Sequence, residues 1–301
     1  MTEPHTQSAE TTAPTKPGIA RWRPRLTRRR FLAAAALGAC GTGLYAWRIE
    51  PHWIEVVKRD LPIVNLPAAL RDQTLIQISD LHVGRAVDSE YLIAAMKRVS
   101  SLGPALTVIT GDFMTCSGTE EVESVSRVLE HLVPGPLGCF AILGNHDYSL
   151  DWSHKDVAAA LARRLPELGI HVLRNESRSV AGLQLVGIDD LWSPCFAPEA
   201  VIPKVDWQGP TLTLCHNPDA VDSSGLAACR GWILSGHTHG GQCKPPFLPP
   251  PLLPVRNRRY TCGEFDIGPG GRLYINRGLG YLRRVRFNVR PEITVFRLCP
   301  A

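Results

Sequence analysis

The sequence predicts an α/β domain, and three observations carry that reading. Short apolar, β-prone runs alternate with stretches of helical periodicity. Five of those runs end at or just before an aspartate, asparagine or histidine. With an N-terminal leader set aside, about 250 residues remain, a length that suits one α/β domain with a large core. An apolar content of 44% and a charged content of 20% exclude a disordered chain.

The elements follow in order. Residues 1–20 are polar, rich in Thr and Pro, and read as disordered. Trp53 to Asp60 reads as a short strand, and Leu61 to Pro67 as an extended connector, because each proline disfavours helix in the residue before it. Leu75–Ile78, Leu106–Ile109, Phe140–Leu143, Leu212–Leu214 and Trp232–Leu234 are strands of the short, buried kind. Ser89–Ser100, Thr119–Leu132 and His154–Leu168 carry apolar residues at helical spacing. Leu183–Ile188, Arg272–Asn276 and Glu292–Leu298 complete the strands, the last with alternating apolar positions such as Ile293 and Val295. No repeat or long linker divides the body. The organisation is therefore a leader over 1–47, a connector with an edge strand over 48–74, and one catalytic domain over 75–301.

The five strand ends share one chemistry. They deliver Asp80-Leu81-His82, Gly111-Asp112, Gly144-Asn145-His146-Asp147, His216 and Gly236-His237-Thr238-His239. Ligands gather past the C-terminal ends of parallel strands in open α/β sheets. Five separate strands bringing metal-type side chains to one edge is not a packing pattern. Carboxylate and amide oxygens mixed with imidazole nitrogens suit Mn, Fe or Zn better than Mg or Ca alone. Two such ions a few Å apart clamp the attacking and leaving oxygens of a phosphoryl group. Glycines beside several of these residues let the backbone turn closely around the site.

These motifs resemble the calcineurin-like metallophosphoesterase superfamily over roughly Leu75 to Leu298. The runs His237-Thr238-His239-Gly240-Gly241-Gln242, His216-Asn217-Pro218-Asp219, Arg277-Gly278-Leu279-Gly280 and Arg290-Pro291-Glu292-Ile293-Thr294 narrow the likeness to the bacterial membrane-associated phosphodiesterases. The resemblance implies a four-layer α-β-β-α sandwich. It places one divalent ion among Asp80, His82, Asp112 and His239, and a second among Asp112, Asn145, His216 and His237. It implies attack on phosphorus by a hydroxide held between the ions, and hence a metal-dependent phosphoric ester hydrolase. His146 and Asn145 take the catalytic roles: His146 protonates the leaving oxygen, and Asn145 also contacts the phosphate. One position departs from the pattern. Many relatives carry an acidic residue three positions after the Gly-Asp aspartate to orient the catalytic histidine, and here that residue is Thr115. Asp147 is open between supporting the site and capping its loop.

The remaining features bound the setting. The formal charge of +5 resides in residues 1–47, and the rest of the chain is neutral. Within that neutral body, residues 244–301 carry a net +8, open between a solvated surface and a face for an anionic substrate, cell-wall polymer or lipid headgroup. Arg28-Arg29-Arg30-Phe31-Leu32 after Thr27 resembles a twin-arginine export signal, and the apolar stretch Phe31–Trp47 follows it. This leader predicts the exported face of an inner membrane, through a retained signal anchor first. A lipoprotein cut before Cys40, in Leu37-Gly38-Ala39-Cys40, or a secreted form are the alternatives. The expected partners are thus a phosphate-ester substrate, the export machinery and a membrane reached by the N-terminal segment. Candidate substrates are phospholipid or lipid A precursor pyrophosphates, teichoic-acid-like polymers and nucleotides. A lipid A precursor hydrolase-like role on a nucleotide-linked, cytoplasmic substrate fits an exported enzyme poorly. The nine cysteines contain no Cys-x-x-Cys pair, and Cys243 and Cys262 are a pair that export would allow to join. The segment Pro245–Pro254 reads as a rigid loop beside the site, and Trp192 and Tyr281 as packed aromatics that could also stack on substrate. The neutral body and the lack of an aromatic-basic stripe argue against nucleic-acid binding as the main role, and the lack of a Gly-x-Ser-x-Gly elbow argues against serine hydrolysis. A metal-retaining envelope-binding protein with little catalysis is the second reading.

Overall fold

The structure, a computed structural model, describes residues 27–115 and 118–301. The polar segment 1–20, the arginines up to Arg25 and Cys116 lie outside the described residues. The chain forms two compact units, Met1–Gly41 and Thr42–Ala301. The first contributes most of helix α1 (Arg28–Leu44), none of whose residues is buried. No helix among the described residues is long and apolar enough to cross a membrane.

The second unit is built on two six-stranded sheets. The first takes β1 (Glu55–Ile63), β2 (Thr74–Ile78), β3 (Leu106–Thr110), β4 (Cys139–Ile142), β5 (Ile170–Val172) and β12 (Glu292–Pro300), in the order β1-β12-β2-β3-β4-β5. The second takes β6 (Glu176–Val180), β7 (Leu183–Ile188), β8 (Thr211–Cys215), β9 (Gly231–Ser235), β10 (Gly263–Asp266) and β11 (Gly271–Ile275), in the order β10-β11-β9-β8-β7-β6. Strands β2, β3, β4 and β5 run parallel, as do β7, β8, β9 and β11. Their carboxyl ends therefore lie together at one edge of each sheet. The connector Leu61–Pro67 is shorter than expected, because β1 continues to Ile63 in register with Pro300 of β12.

Every residue of β3, β4 and β8 is buried, since each of these strands is covered on both faces. One face of each sheet meets the other in a shared core that includes Leu75, Val108, Ile142, Leu185, Leu214 and Leu234. Burying side chains of this size contributes about 1.5–3 kcal/mol each. Gly187 of β7 leaves room for that contact, because a Cβ there would lie 2.2 Å from Leu173 Cβ and 3.0 Å from Ile142 Cγ2.

Helices cover the outer face of the first sheet. Helix α2 (Ser89–Ser101) starts where Asp88 accepts a hydrogen bond from the Glu90 N–H, and buries Leu92, Ala95, Met96 and Val99. Helix α3 (Glu121–Leu129) is shorter at both ends than the periodicity suggests. Helix α4 (Lys155–Arg164) gives way to a 3-10 turn at Leu165–Leu168, where Pro166 enters, and the chain leaves through Gly169 at φ 76°. The outer face of the second sheet is covered by short 3-10 turns instead, through Val201, Ile202, Ala220 and Leu226. Pro198, Pro203 and Pro218 keep those segments from extending into α-helices. The four layers are thus present, with a thin fourth.

Candidate metal centre

Each candidate ligand follows a buried parallel strand. Asp80 and His82 follow β2, Asp112 follows β3, Asn145 and His146 follow β4, His216 follows β8, and His237 and His239 follow β9. The two sheets meet around them through hydrogen bonds. Gln77 of β2 donates to Thr110 Oγ1 of β3 at 3.0 Å and to the Ser235 carbonyl of β9 at 2.9 Å. The His237 N–H donates to both Asp80 oxygens at 3.0 and 3.1 Å. Five of these residues hold left-handed backbone: Asp80 at φ 53°, His82 at 49°, Asp112 at 56°, His237 at 71° and His239 at 50°. Such a conformation turns a side chain sharply inward at a strand end, at a cost that the surrounding packing must cover.

Two clusters result. Asp80, His82 and His239 form one, and Asp112, His216 and His237 the other, all buried. His82 Nε2 lies 3.0 Å from His239 Nε2 and 3.5 Å from Asp112 Oδ2, and His239 Nε2 lies 3.4 Å from Asp80 Oδ1. In the second cluster His216 Nε2 lies 3.2 Å from the same Asp112 Oδ2. Ligand atoms about 2.1 Å from a divalent ion stand about 3.0–3.4 Å from one another. The spacing fits such an ion in each cluster, and Asp112 Oδ2 is positioned to serve both. Asn145 adds a further sign of fit: both its amide atoms are buried and have no partner. His216 Nε2 is equally buried and faces Asp112 Oδ2.

The imidazoles are oriented from behind. His216 Nδ1 donates to the Thr110 carbonyl at 2.6 Å, which leaves Nε2 as the free lone pair. His237 Nε2 donates to the Pro254 carbonyl at 2.8 Å, leaving Nδ1 for the centre. His82 Nδ1 meets Thr115 Oγ1 at 2.8 Å. His239 Nδ1 lies 3.4 Å from the buried Arg286, whose guanidinium also donates to the carbonyls of Arg277, Gly278, Gly280 and Val289. Burial pushes His82 and His237 down to about 3, and His239 well below its ordinary value. Burial pushes the Asp80 carboxyl up to about 7, against the pull of His216. Burial alone would lower His216, but Asp112, Asp80 and Asp190 outweigh it and hold the imidazole well above its usual value. The centre without metal therefore keeps protons that cations would displace.

Asp147 accepts from the N–H groups of Asp112, Phe113, Met114 and Gly144, at 2.8 to 3.2 Å, and so ties the β3 and β4 loops together. His146 is anchored by its N–H to Asp112 Oδ1 at 2.9 Å, but its buried Nδ1 has no partner. Thr115, three residues after Asp112, has its hydroxyl engaged by His82.

A cleft of about 630 Å³ opens over Asp112, Asn145 and His146. Trp152 and Trp192 stack at 4.8 Å on one wall, and Leu252, Leu253 and Leu282 line another. Trp192 therefore does reach the cleft, whereas Tyr281 is fully buried and bonds His52 at 3.0 Å. Gln242 also lines the cleft, and its amide donates to the carbonyls of Arg283 and Val285. Cys243 and Cys262 are free thiols. Sequence reasoning missed Asp189 and Asp190, which follow β7 at the same edge. Asp189 binds Tyr148 and Arg174, and Asp190 is fully buried, with Oδ2 unpartnered and its carboxyl pushed up by burial to about 7. The strand-then-acid pattern that found the other residues would have found these two.

Comparison with known proteins agrees with this arrangement. The family model described as calcineurin-like phosphoesterase matches residues 74–241. Phosphodiesterase YaeI of Escherichia coli (strain K12) is 32% identical over 91% of this chain and 99% of its own length. The metallophosphoesterase YkuE of Bacillus subtilis (strain 168) is 31% identical over 91% of this chain and 98% of its own. The UDP-2,3-diacylglucosamine pyrophosphatase LpxG of Chlamydia trachomatis is 28% identical over 89% and 94%. Two clusters of divalent-metal ligands at the shared edge of two sheets, together with these matches, make the chain a member of the calcineurin-like phosphoesterase family and a hydrolase of phosphate esters.

Proposed function

We propose that this chain is a phosphodiesterase that cleaves diester or pyrophosphate bonds of envelope or lipid-linked substrates. The observation that carries this reading is the cleft itself. Its floor is formed by Asp112, His237 and His239 from the two candidate ligand clusters, with Asn145 and His146, while its walls are aromatic and aliphatic. A phosphoryl group fits the floor and an apolar substituent fits the walls. Relatives named a phosphodiesterase and a pyrophosphatase favour a doubly substituted phosphorus over a monoester.

Asp80, His82, Asp112 and His239 would hold one ion, and Asp112, Asn145, His216 and His237 the other, with Mn, Fe or Zn suited to these donors. When bound, the pair acidifies water at the floor of the cleft and offsets the charge of the phosphoryl group. Asn145 orients a phosphoryl oxygen through its amide. His146, anchored at its backbone by Asp112, gives a proton to the departing oxygen. The stacked indoles and the leucines of the opposite wall exclude water from the reacting side. The twin-arginine-like leader, carried into helix α1, supports export and a retained N-terminal tether at the outer face of the inner membrane.

One observation favours a second reading, a binding protein with little turnover. Thr115 is spent on His82, and His146 Nδ1 has no orienting partner. The test is hydrolysis of bis-p-nitrophenyl phosphate and of the monoester by metal-stripped protein given Mn²⁺, beside His146→Ala. Diesterase activity that needs Mn²⁺ and falls about 10²–10⁴-fold in the variant supports the enzyme. Tight metal binding with no turnover of either compound supports the binding protein.

A further inference from the structure

The mouth of the cleft carries a surface that the chemistry at its floor does not require. The Lys244–Val255 loop leaves the second sheet's edge past His239 and holds six prolines. A turn closes where the Leu248 N–H donates to the Pro245 carbonyl, and inside it Phe247 adopts φ 65°. Arg258 clamps the loop from below through the carbonyls of Pro250 and Pro251. The loop is therefore rigid, and what it holds outward is apolar. Phe247 is fully exposed, Leu252 is 79% exposed and Leu248 is 59% exposed. Holding an aromatic side chain entirely in water, in a left-handed backbone, is unfavourable on both counts.

The apolar tip continues across the cleft. Leu282 lies exposed on the facing rim. Cations flank this stripe. Lys244, Arg256 and Arg283 are exposed, and among the described residues none of them forms an ion pair. Asp219 spends its carboxylate on the backbone N–H groups of Arg256 and Asn257, at 2.6 and 3.0 Å, and Glu120 and Glu121 line a separate hollow with Arg85 and Leu282. Cations without an ion-pair partner around a projecting apolar tip match the depth profile of a lipid surface with anionic headgroups.

We propose that the mouth of the cleft docks on an anionic lipid surface, with Phe247, Leu248 and Leu252 entering the headgroup region and Lys244, Arg256 and Arg283 pairing with its phosphates. The docking rests on the phosphoesterase reading only for its purpose, which is to let a lipid phosphoester pass into the cleft with its chains along the leucine and tryptophan walls. This contact is separate from any N-terminal tether, which would hold the protein near a membrane without turning the cleft toward it.

The test is amide hydrogen exchange of the full chain with vesicles of phosphatidylcholine, with or without phosphatidylglycerol. The expected result is that amides of Phe247, Leu248, Leu252 and Leu253 slow by about tenfold or more on the anionic vesicles, since burying one such side chain is worth about a factor of ten. Amides of β10 serve as the internal control and should not change. Phe247→Ser with Leu248→Ser should lose the protection while the protein still sediments with the vesicles. Unchanged loop exchange on vesicles that carry the protein overturns the proposal, as does equal protection on pure phosphatidylcholine. Protection that grows with protein concentration in the absence of vesicles also overturns it, in favour of a second copy of the chain. Turnover of bis-p-nitrophenyl phosphate by the same preparations reports on the phosphoesterase reading alone, and the double variant should retain it.

Discussion

Gly144→Ala is the smallest change that should disable the centre. The glycine precedes Asn145 in ordinary extended backbone, at φ −100° and ψ 178°, so an alanine meets no conformational penalty there. Its Cβ, however, would stand 2.2 Å from Asp112 Oδ1, 2.5 Å from the Asp112 nitrogen and 2.8 Å from its Cγ. An ordinary contact begins near 3.4 Å, so the carboxylate would have to retreat by about 1.2 Å. It cannot retreat alone. Asp112 Oδ1 accepts the His146 N–H, and the Asp112 N–H is held by Asp147, so both candidate ligand clusters and His146 shift with it. A displacement of about 1 Å at a reacting centre costs about 10²-fold in rate, and overpacking costs about 1–3 kcal/mol of stability. The assay is Mn²⁺-dependent kcat/KM on bis-p-nitrophenyl phosphate, with metal content by mass spectrometry and unfolding by urea. A variant that binds two equivalents of metal and turns over within about threefold of wild type would refute the placement of Asp112 at the shared position.

Three further outcomes are expected. Thr115→Val removes the acceptor of His82 Nδ1 at nearly constant volume, so Mn²⁺ affinity should fall about 10-fold while kcat at saturating metal stays close to wild type; unchanged affinity in a metal titration would show that the bond does not orient His82. Asp147→Asn sets an amide NH₂ among the four N–H groups that the carboxylate now accepts, and should cost about 2–3 kcal/mol in urea unfolding, together with most of the activity. Metal uptake should release protons. With Asp80 raised to about 7 and His216 raised above its usual value, the ligands hold more protons at pH 6 than at pH 8, so Mn²⁺ affinity should climb with pH through about 7. His82 and His237, near 3, add nothing to that slope above pH 5. Calorimetry in buffers of different ionisation enthalpy measures the release, and a pH-independent value would contradict the proton inventory.

The strands that carry the candidate ligands were legible because burial on both faces writes them as short apolar runs. β2, β3, β4, β8 and β9 all fall within a residue or two of where those runs lie. The strands that escaped notice lack that signature. β6, Glu176-Ser177-Arg178-Ser179-Val180, is an exposed edge strand with one buried residue, β10 is a short edge strand, and β5 has three residues. The helix ends slipped for a related reason: apolar spacing continues into the 3-10 turn after α4, where Pro166 rather than periodicity decides the backbone. At the centre, residue type and position after a strand pointed to the side chains that the structure gathers, including Asp112 between the two clusters. The supporting contacts were not legible. Thr115 beneath His82 and Arg286 behind His239 are long-range pairings, and no local pattern distinguishes Arg286 from Arg283 or Arg284.

The left-handed backbone at Asp80, His82, Asp112, His237 and His239 has a consequence for how this protein can fail. The bends that aim these side chains are held by sheet packing and by carboxylate-to-backbone bonds, neither of which runs through an ion. Exchanging one divalent ion for another then asks nothing of the chain. A molecule filled with the wrong ion should keep its fold, and the change should show in turnover. Glycine in place of one of these residues should even fold slightly better than alanine, by about 1 kcal/mol, because it is at ease in that conformation. Defects at this centre are thus silent to any surveillance that judges a protein by its fold, and the supply of ions, rather than the folding of the chain, decides how many molecules work.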